Sequence, residues 1–348
     1  MSSKVMAAAL AAFLLAAPAG AADFDYFHRT YAEAEKVAKK EGKPLYLHFT
    51  TRWCGWCRRI ENDIYKLPEG KKALSPFACA TLDCTVPQGQ RPSENAAFNQ
   101  KLMDRYRGPG YPYLVMVTPD GVILNRITGY KPMAAFKEDL AKAEANLKKY
   151  QALQAYAAKA DKTSYDYHLK ALEFYSDTTA WDQAGEAAAA LKKLDPELKK
   201  GKGALISYAL LRAAPDKADD AKVTALEDAV IRHDAKNQAG YLEPVLWSRA
   251  SRRFNQGYRQ RDEAQKARRT QEAIDAIRQL IKQAEKLSDP VNTYGYLGWL
   301  NMRAGRNDEA ITALEKALAL DPDGPRAPML KRMIEQAKNA KAEKATQK

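Results

Sequence analysis

Cysteine is scarce: four residues in 348, at 54, 57, 79 and 84. Four thiols in one short stretch cannot form the disulfide framework of a chain this long, so the core must come from apolar burial. Long apolar runs are also missing. Beyond the first two dozen residues nothing approaches the about 20 apolar residues that a membrane helix requires. No recognised nucleic-acid motif accompanies the formal net charge of +13. Lysine and arginine are spread over both halves, which reads as solvated surface and leaves nucleic acid outside the expected partners. Covalent haem attachment is excluded as well, because Arg58 stands where a histidine would have to follow the second cysteine of a Cys-x-x-Cys pair.

With 348 residues and 46% apolar content, the chain is expected to form about two ordinary domains. It opens on a processing signal. Lys4 precedes an apolar run over 5–17, and Ala19-Gly20-Ala21 supplies a small-residue cleavage site. A retained anchor is the alternative, although no cysteine follows the run to accept a lipid. Residues 1–22 are therefore expected to be a cleaved signal peptide, and the mature chain to work in a bacterial periplasm.

Local patterning then alternates. Aromatic and alanine positions at helical spacing predict a helix over 24–40, ended by Gly42 and Pro44. A strand is expected over 45–50, a helix from 54 or 55 to 65, and a break at 67–70. A strand holding Cys79, a polar loop over 87–92 and a helix capped by Ser93 and running to Tyr106 come next. Asp120-Gly121 between the runs 113–118 and 122–128 predicts a hairpin, and a last helix is expected over 132–150. Such an order describes a mixed sheet with helices on both faces. Five positions apart on a strand, Cys79 and Cys84 would sit about 16 Å from each other, too far to bond. Cys79 reads as a small buried hydrophobe; Cys84, nearer the loop, also fits a second reactive thiol.

The informative stretch is Trp53-Cys54-Gly55-Trp56-Cys57, placed between an expected strand and an expected helix. A thiol in the first helical turn faces unpaired amides and the positive end of the dipole, so its thiolate is favoured. Cys54 is thus expected to be exposed and nucleophilic, with Arg52, Arg58 and Arg59 adding to the effect. Cys57, one turn on, is the more buried resolving thiol. Competing readings are a zinc site completed by Cys79 and Cys84, which strand geometry opposes, and a purely structural disulfide.

Together with Gly110-Tyr111-Pro112, the Asp120-Gly121 turn and Gly129, this stretch makes residues 23–148 resemble the thioredoxin fold of secreted thiol-disulfide proteins. The resemblance implies a cis-proline at Pro112 opposite Cys54. It also implies that Tyr111 pairs with a substrate peptide and that Trp53, Gly55 and Trp56 support the site; Trp53 could equally be partly core. His48 stands where much of the family keeps a buried carboxylate. Two roles fit it: accepting the Cys57 proton, or a core histidine bonded to a backbone carbonyl.

From 149 the texture becomes Ala, Leu, Lys and Glu at helical period. Residues 291–324 resemble a tetratricopeptide repeat, carried by Tyr294, Leu297, Gly298, Gly305, Ala310, Leu314, Ala317 and Pro322, with Asn301 departing from the usual aromatic. A degenerate relative covers 165–197, with further helix pairs over 205–233 and 245–287. The expected organisation is a thioredoxin fold over 23–148, an all-α helical-repeat domain over 149–335, and a basic disordered tail over 336–348. The expected activity is thiol-disulfide exchange with protein clients, as reductase more than oxidase, needing no metal or organic cofactor. Expected partners are those clients, a membrane electron donor and a protein held by the repeats. The rival is a non-catalytic scaffold gripping peptide with both halves.

Overall fold

The structure is a computed structural model that describes residues 24–86, 93–215 and 217–346. The expected signal peptide and the polar loop over 87–92 lie outside the described residues. Among these, no helix is long and apolar enough to cross a membrane.

The first compact unit runs to Lys159 and takes in Asp177–Ala180. Its sheet has the order β1-β3-β2-β4-β5, built from β1 (Phe27–His28), β2 (Leu45–Thr50), β3 (Ala78–Asp83), β4 (Tyr113–Val117) and β5 (Ile123–Thr128). β2 runs parallel to β3 and antiparallel to β4, which closes the expected hairpin with β5. All six residues of β2 are buried, as a central strand covered on both faces requires. Their alternation sorts two cores: Phe49 stacks on Tyr113, whereas Tyr46 meets Phe27, Tyr65, Phe77 and Phe136.

The first expected helix is shorter than its periodicity, because α1 spans only Tyr31–Glu41. Thr30 and Glu33 form a capping box that sets its start, while Phe27 and His28 are drawn into the sheet beside Cys79 and Ala80. α2 (Gly55–Ile60) continues as a π-helical turn over Glu61–Tyr65. Pro68, expected as a breaker, is the first residue of α3 (Pro68–Leu74), where its missing N–H costs nothing. α4 (Ala96–Arg105) is preceded by Asn95 in the left-handed region, not capped by Ser93. The Ser93 hydroxyl is taken up instead by the Thr85 carbonyl, 3.2 Å away. α5 (Met133–Ala157) carries the last expected helix well past 148.

The second unit comprises residues 160–176 and 181–348. Its described elements are all helical: α6 (Tyr165–Asp177), α7 (Trp181–Leu194), α8 (Gly203–Ala213), α9 (Asp220–His233), α10 (Leu242–Tyr258), α11 (Glu263–Gln283), α12 (Pro290–Arg303), α13 (Asn307–Leu320) and α14 (Ala327–Thr346). α12 and α13 are the clear repeat. Gly305 turns between them at φ 70°, and Asn301, buried at the usual aromatic position, donates its amide to the Leu297 carbonyl at 2.9 Å. The expected disordered tail is helical as far as Thr346. Ala337 is buried, and Lys338 and Lys341 reach Glu315 and Asp308 on α13, so packing and ion pairs extend a good helix-forming sequence.

Candidate active site

Cys54 is the N-cap of α2 and is disulfide-bonded to Cys57, with Cα atoms 5.3 Å apart. The Cys57 amide donates to the Cys54 sulfur at 3.1 Å, so an orphan donor of the first turn is aimed at that atom. The burial order is as expected but small: Cys54 is 4% exposed and Cys57 1%. Cys54, disulfide-bonded here, is therefore buried and not exposed as expected. The exposed surface belongs to its neighbours, Trp53 at 67% and Trp56 at 57%, which removes Trp53 from the core.

A chain of contacts links these two tryptophans. Trp53 meets Tyr111 edge-on with ring centroids 5.7 Å apart. Tyr111 joins Pro112 through a cis peptide bond, and the Pro112 carbonyl accepts from the Gly129 amide at 2.9 Å. Tyr130, next in sequence, rests against Trp56 with centroids 5.9 Å apart. Arg59 lies over both Trp56 and Tyr130, and its Nε and the Tyr130 hydroxyl each donate to Asp63, at 3.1 and 2.9 Å. Gly55 has open space around it save for the Arg58 guanidinium.

His48 lies on β2, fully buried, on the face where Tyr65 meets its ring at 5.6 Å. Neither ring nitrogen has a hydrogen-bond partner among the described residues, so the alternative of a carbonyl-bonded core histidine does not hold. Burial alone pulls its pKa down to about 3, leaving a neutral imidazole. No hydrogen bond joins it to either sulfur of the pair.

Cys79 and Cys84 are free and buried. Burial pushes the Cys79 thiol far up and the Cys84 thiol up to about 11, the latter opposed by a hydrogen bond with Tyr111. Neither is a ready nucleophile. The Tyr111 hydroxyl also donates to Gln100 at 2.7 Å, which ties this ring to α4.

Several neighbours of the disulfide were not singled out from sequence. Tyr130 and Asp63 come together across 67 residues, a pairing that no local pattern signals. Glu61 carries a local signal, standing four residues after Cys57 on the same helical face. It is largely buried, and that burial raises its pKa against the fields of Lys66 and Arg58.

A thioredoxin-type sheet, a disulfide at a helix start and a cis-proline on the adjoining loop define a thiol-disulfide oxidoreductase of thioredoxin fold. The sequence model of the thioredoxin-like domain matches residues 31–144, and that of the tetratricopeptide repeat matches 291–323. Over 117 residues the chain is 32% identical to the disulfide bond reductase DsbH of Chlamydia pneumoniae, covering 33% of this chain and 68% of that protein. It is 33% identical over 85 residues to the thiol:disulfide interchange protein DsbD 2 of Pseudomonas aeruginosa. That match covers 24% of this chain and only 13% of the relative's length. A solved structure of a DsbH oxidoreductase is similar with a TM-score of 0.29 and 26% identity, over 36% of this chain and 91% of its own. The chain belongs to the thioredoxin-like family.

Proposed function

We propose that the protein is a periplasmic reductase of disulfides in protein clients, using Cys54 and Cys57 in turn. The observation that carries this reading is the Cys54–Cys57 bond at the first turn of α2, next to exposed Trp53, whose ring meets Tyr111 of the cis Tyr111–Pro112 bond. In the reduced protein the Cys54 thiolate attacks one sulfur of a client disulfide, breaking that bond and releasing one client thiolate. Cys57 then loses its proton and attacks the Cys54 sulfur, releasing the second client thiolate and forming the bond seen here. Two electrons pass to the client, and a dithiol donor must return them. A periplasmic site accords with the leader expected over 1–22, and an electron donor at the membrane is part of the same proposal.

His48 is a buried base on the central strand β2. In the oxidised protein it is neutral, and taking the Cys57 proton during resolution requires the thiolate forming there to raise its pKa well above about 3. Trp53 and Trp56 offer apolar contact, and Tyr111 and Pro112 present backbone to an extended client segment. The helical unit, with its tetratricopeptide repeat, holds a protein partner.

The test is a Cys57→Ser variant, which leaves Cys54 to form mixed disulfides that cannot resolve. Expected are covalent adducts in cells, lost in a Cys54→Ser, Cys57→Ser double variant, together with reduction of a model protein disulfide by the purified wild type. Neither adducts nor reduction would leave the non-catalytic scaffold reading in its place.

A further inference from the structure

Residues 51–60 carry three arginines and no carboxylate. Two of the three are engaged by carboxylates from elsewhere: Arg59 by Asp63 at 3.1 Å and Arg52 by Asp83 at 3.7 Å. Arg58 is different. Its Nη1 donates to the Arg52 carbonyl at 3.0 Å, and among the described residues no carboxylate forms an ion pair with it. The nearest acidic influence is Glu61, three residues on, whose ionisation Arg58 and Lys66 both favour.

The fold holds this charge beside Gly55, in the first turn of α2. The guanidinium bends back over the first turn of α2, its Nη2 3.9 Å from where a Gly55 side chain would begin. Gly55 directly follows Cys54, and Arg58 is exposed to solvent. A neutral carbonyl partner orients the guanidinium without cancelling its charge. The neighbouring Arg59, by contrast, lies over Trp56 and Tyr130 and is paired with Asp63.

We infer that Arg58, held beside Gly55 in the first turn of α2, selects client segments that carry a carboxylate beside the cysteine under attack. The inference rests on the reading of Cys54 as the attacking sulfur. A client aspartate or glutamate meets an oriented cation with no ion pair among the described residues, and a client lysine meets like charge from Arg58. The apolar part of the same segment lies on Trp56.

The full chain, reduced with dithiothreitol and freed of it, is mixed with three peptides of identical length. Each carries one cysteine in a disulfide with thionitrobenzoate, flanked by aspartates, alanines or lysines. Attack of the Cys54 thiolate on the peptide sulfur breaks that bond and releases the coloured thionitrobenzoate anion. Cys57 then gives up its proton and displaces the peptide thiolate. At low ionic strength the aspartate peptide is expected to react about tenfold faster than the lysine peptide, with alanine between. High salt, which shortens the screening length to about 3 Å at molar strength, should shrink the ratio. Arg58→Gln should bring it near one, Arg58→Lys should keep most of it, and Lys66→Gln, further along the same helix, should leave it unchanged. A wild-type ratio near one, or a ratio that survives Arg58→Gln, overturns the assignment while the exchange reading stands. Failure to release thionitrobenzoate from all three peptides overturns both.

Discussion

Trp56 leans on Tyr130 with ring centroids 5.9 Å apart, and this contact fixes an exposed indole beside the disulfide. The Tyr130 hydroxyl is in turn held by Asp63 at 2.9 Å, so the wall is a side-chain assembly joining α2's π-helical extension to the loop after β5.

Replacing Tyr130 tests that assembly. An aromatic pair of this kind contributes about 0.5–1.5 kcal/mol. Tyr130→Ala should therefore lower the second-order rate with a peptide disulfide roughly two- to tenfold, with a smaller effect on a compact reagent such as glutathione disulfide. Tyr130→Phe keeps the ring and loses only the Asp63 bond, so it should stay close to wild type. Equal losses in both variants would show that the hydroxyl, not the ring, sets the indole.

His48 gives a prediction about pH. Its folded pKa, lowered to about 3 by burial, lies below the ordinary value of 6.5. Between those limits the unfolded chain binds a proton that the folded chain does not, so stability rises with pH across the window. As pH falls from 6.5, the wild type should lose up to about 1.4 kcal/mol per unit from this one group. His48→Leu should be flatter over the same range in denaturant titrations of the thioredoxin-like unit. Parallel pH profiles for the two proteins would mean that the imidazole is solvated in the folded chain.

Glu61 has the opposite sign. Burial raises its folded pKa above the ordinary 4.5, so its carboxylate is a burden on the fold once ionised. Stability from this group is present below pH 4.5 and lost as pH rises through the folded value. Glu61→Gln should therefore raise the urea midpoint at pH 7 and show no advantage at pH 4. A lower midpoint at pH 7 would mean that the charge is compensated by Lys66 and Arg58 more fully than its burial allows.

These residues also mark how far the chain could be read without coordinates. β2 was legible because Leu45, Tyr46, Leu47 and Phe49 make a short, mostly apolar run between Pro44 and the Cys-x-x-Cys motif, and the hairpin because Asp120-Gly121 is a turn signal in the sequence itself. The disulfide, its helix and cis-Pro112 were legible through the Cys-x-x-Cys motif and its companions at fixed places. β1 was not, because two residues carry no period and are extended only through pairing with Cys79 and Ala80. The wall at Trp56 was hidden for the same reason, since Asp63 and Tyr130 meet only once the sheet has formed. At the other end, lysine-rich composition masked a helix whose apolar face, including Leu330, Ile334 and Ala337, is buried.

The helical unit offers a matched pair of glycines on α12. A Cβ at Gly298 would lie 2.5 Å from the Leu314 Cγ and 3.2 Å from the Ala310 carbonyl oxygen, whereas one at Gly295 would meet only a Leu330 methyl at 3.4 Å. Both substitutions to alanine gain about 1 kcal/mol of helix propensity. Only Gly298→Ala must also displace Leu314, which is fully buried, and such overpacking costs about 1–3 kcal/mol. Gly295→Ala should therefore raise the denaturation midpoint followed by helical circular dichroism, and Gly298→Ala should fall below it by an amount in that range. If both variants rise together, α12 and α13 can separate without loss, and the close approach at Gly298 does not hold the repeat.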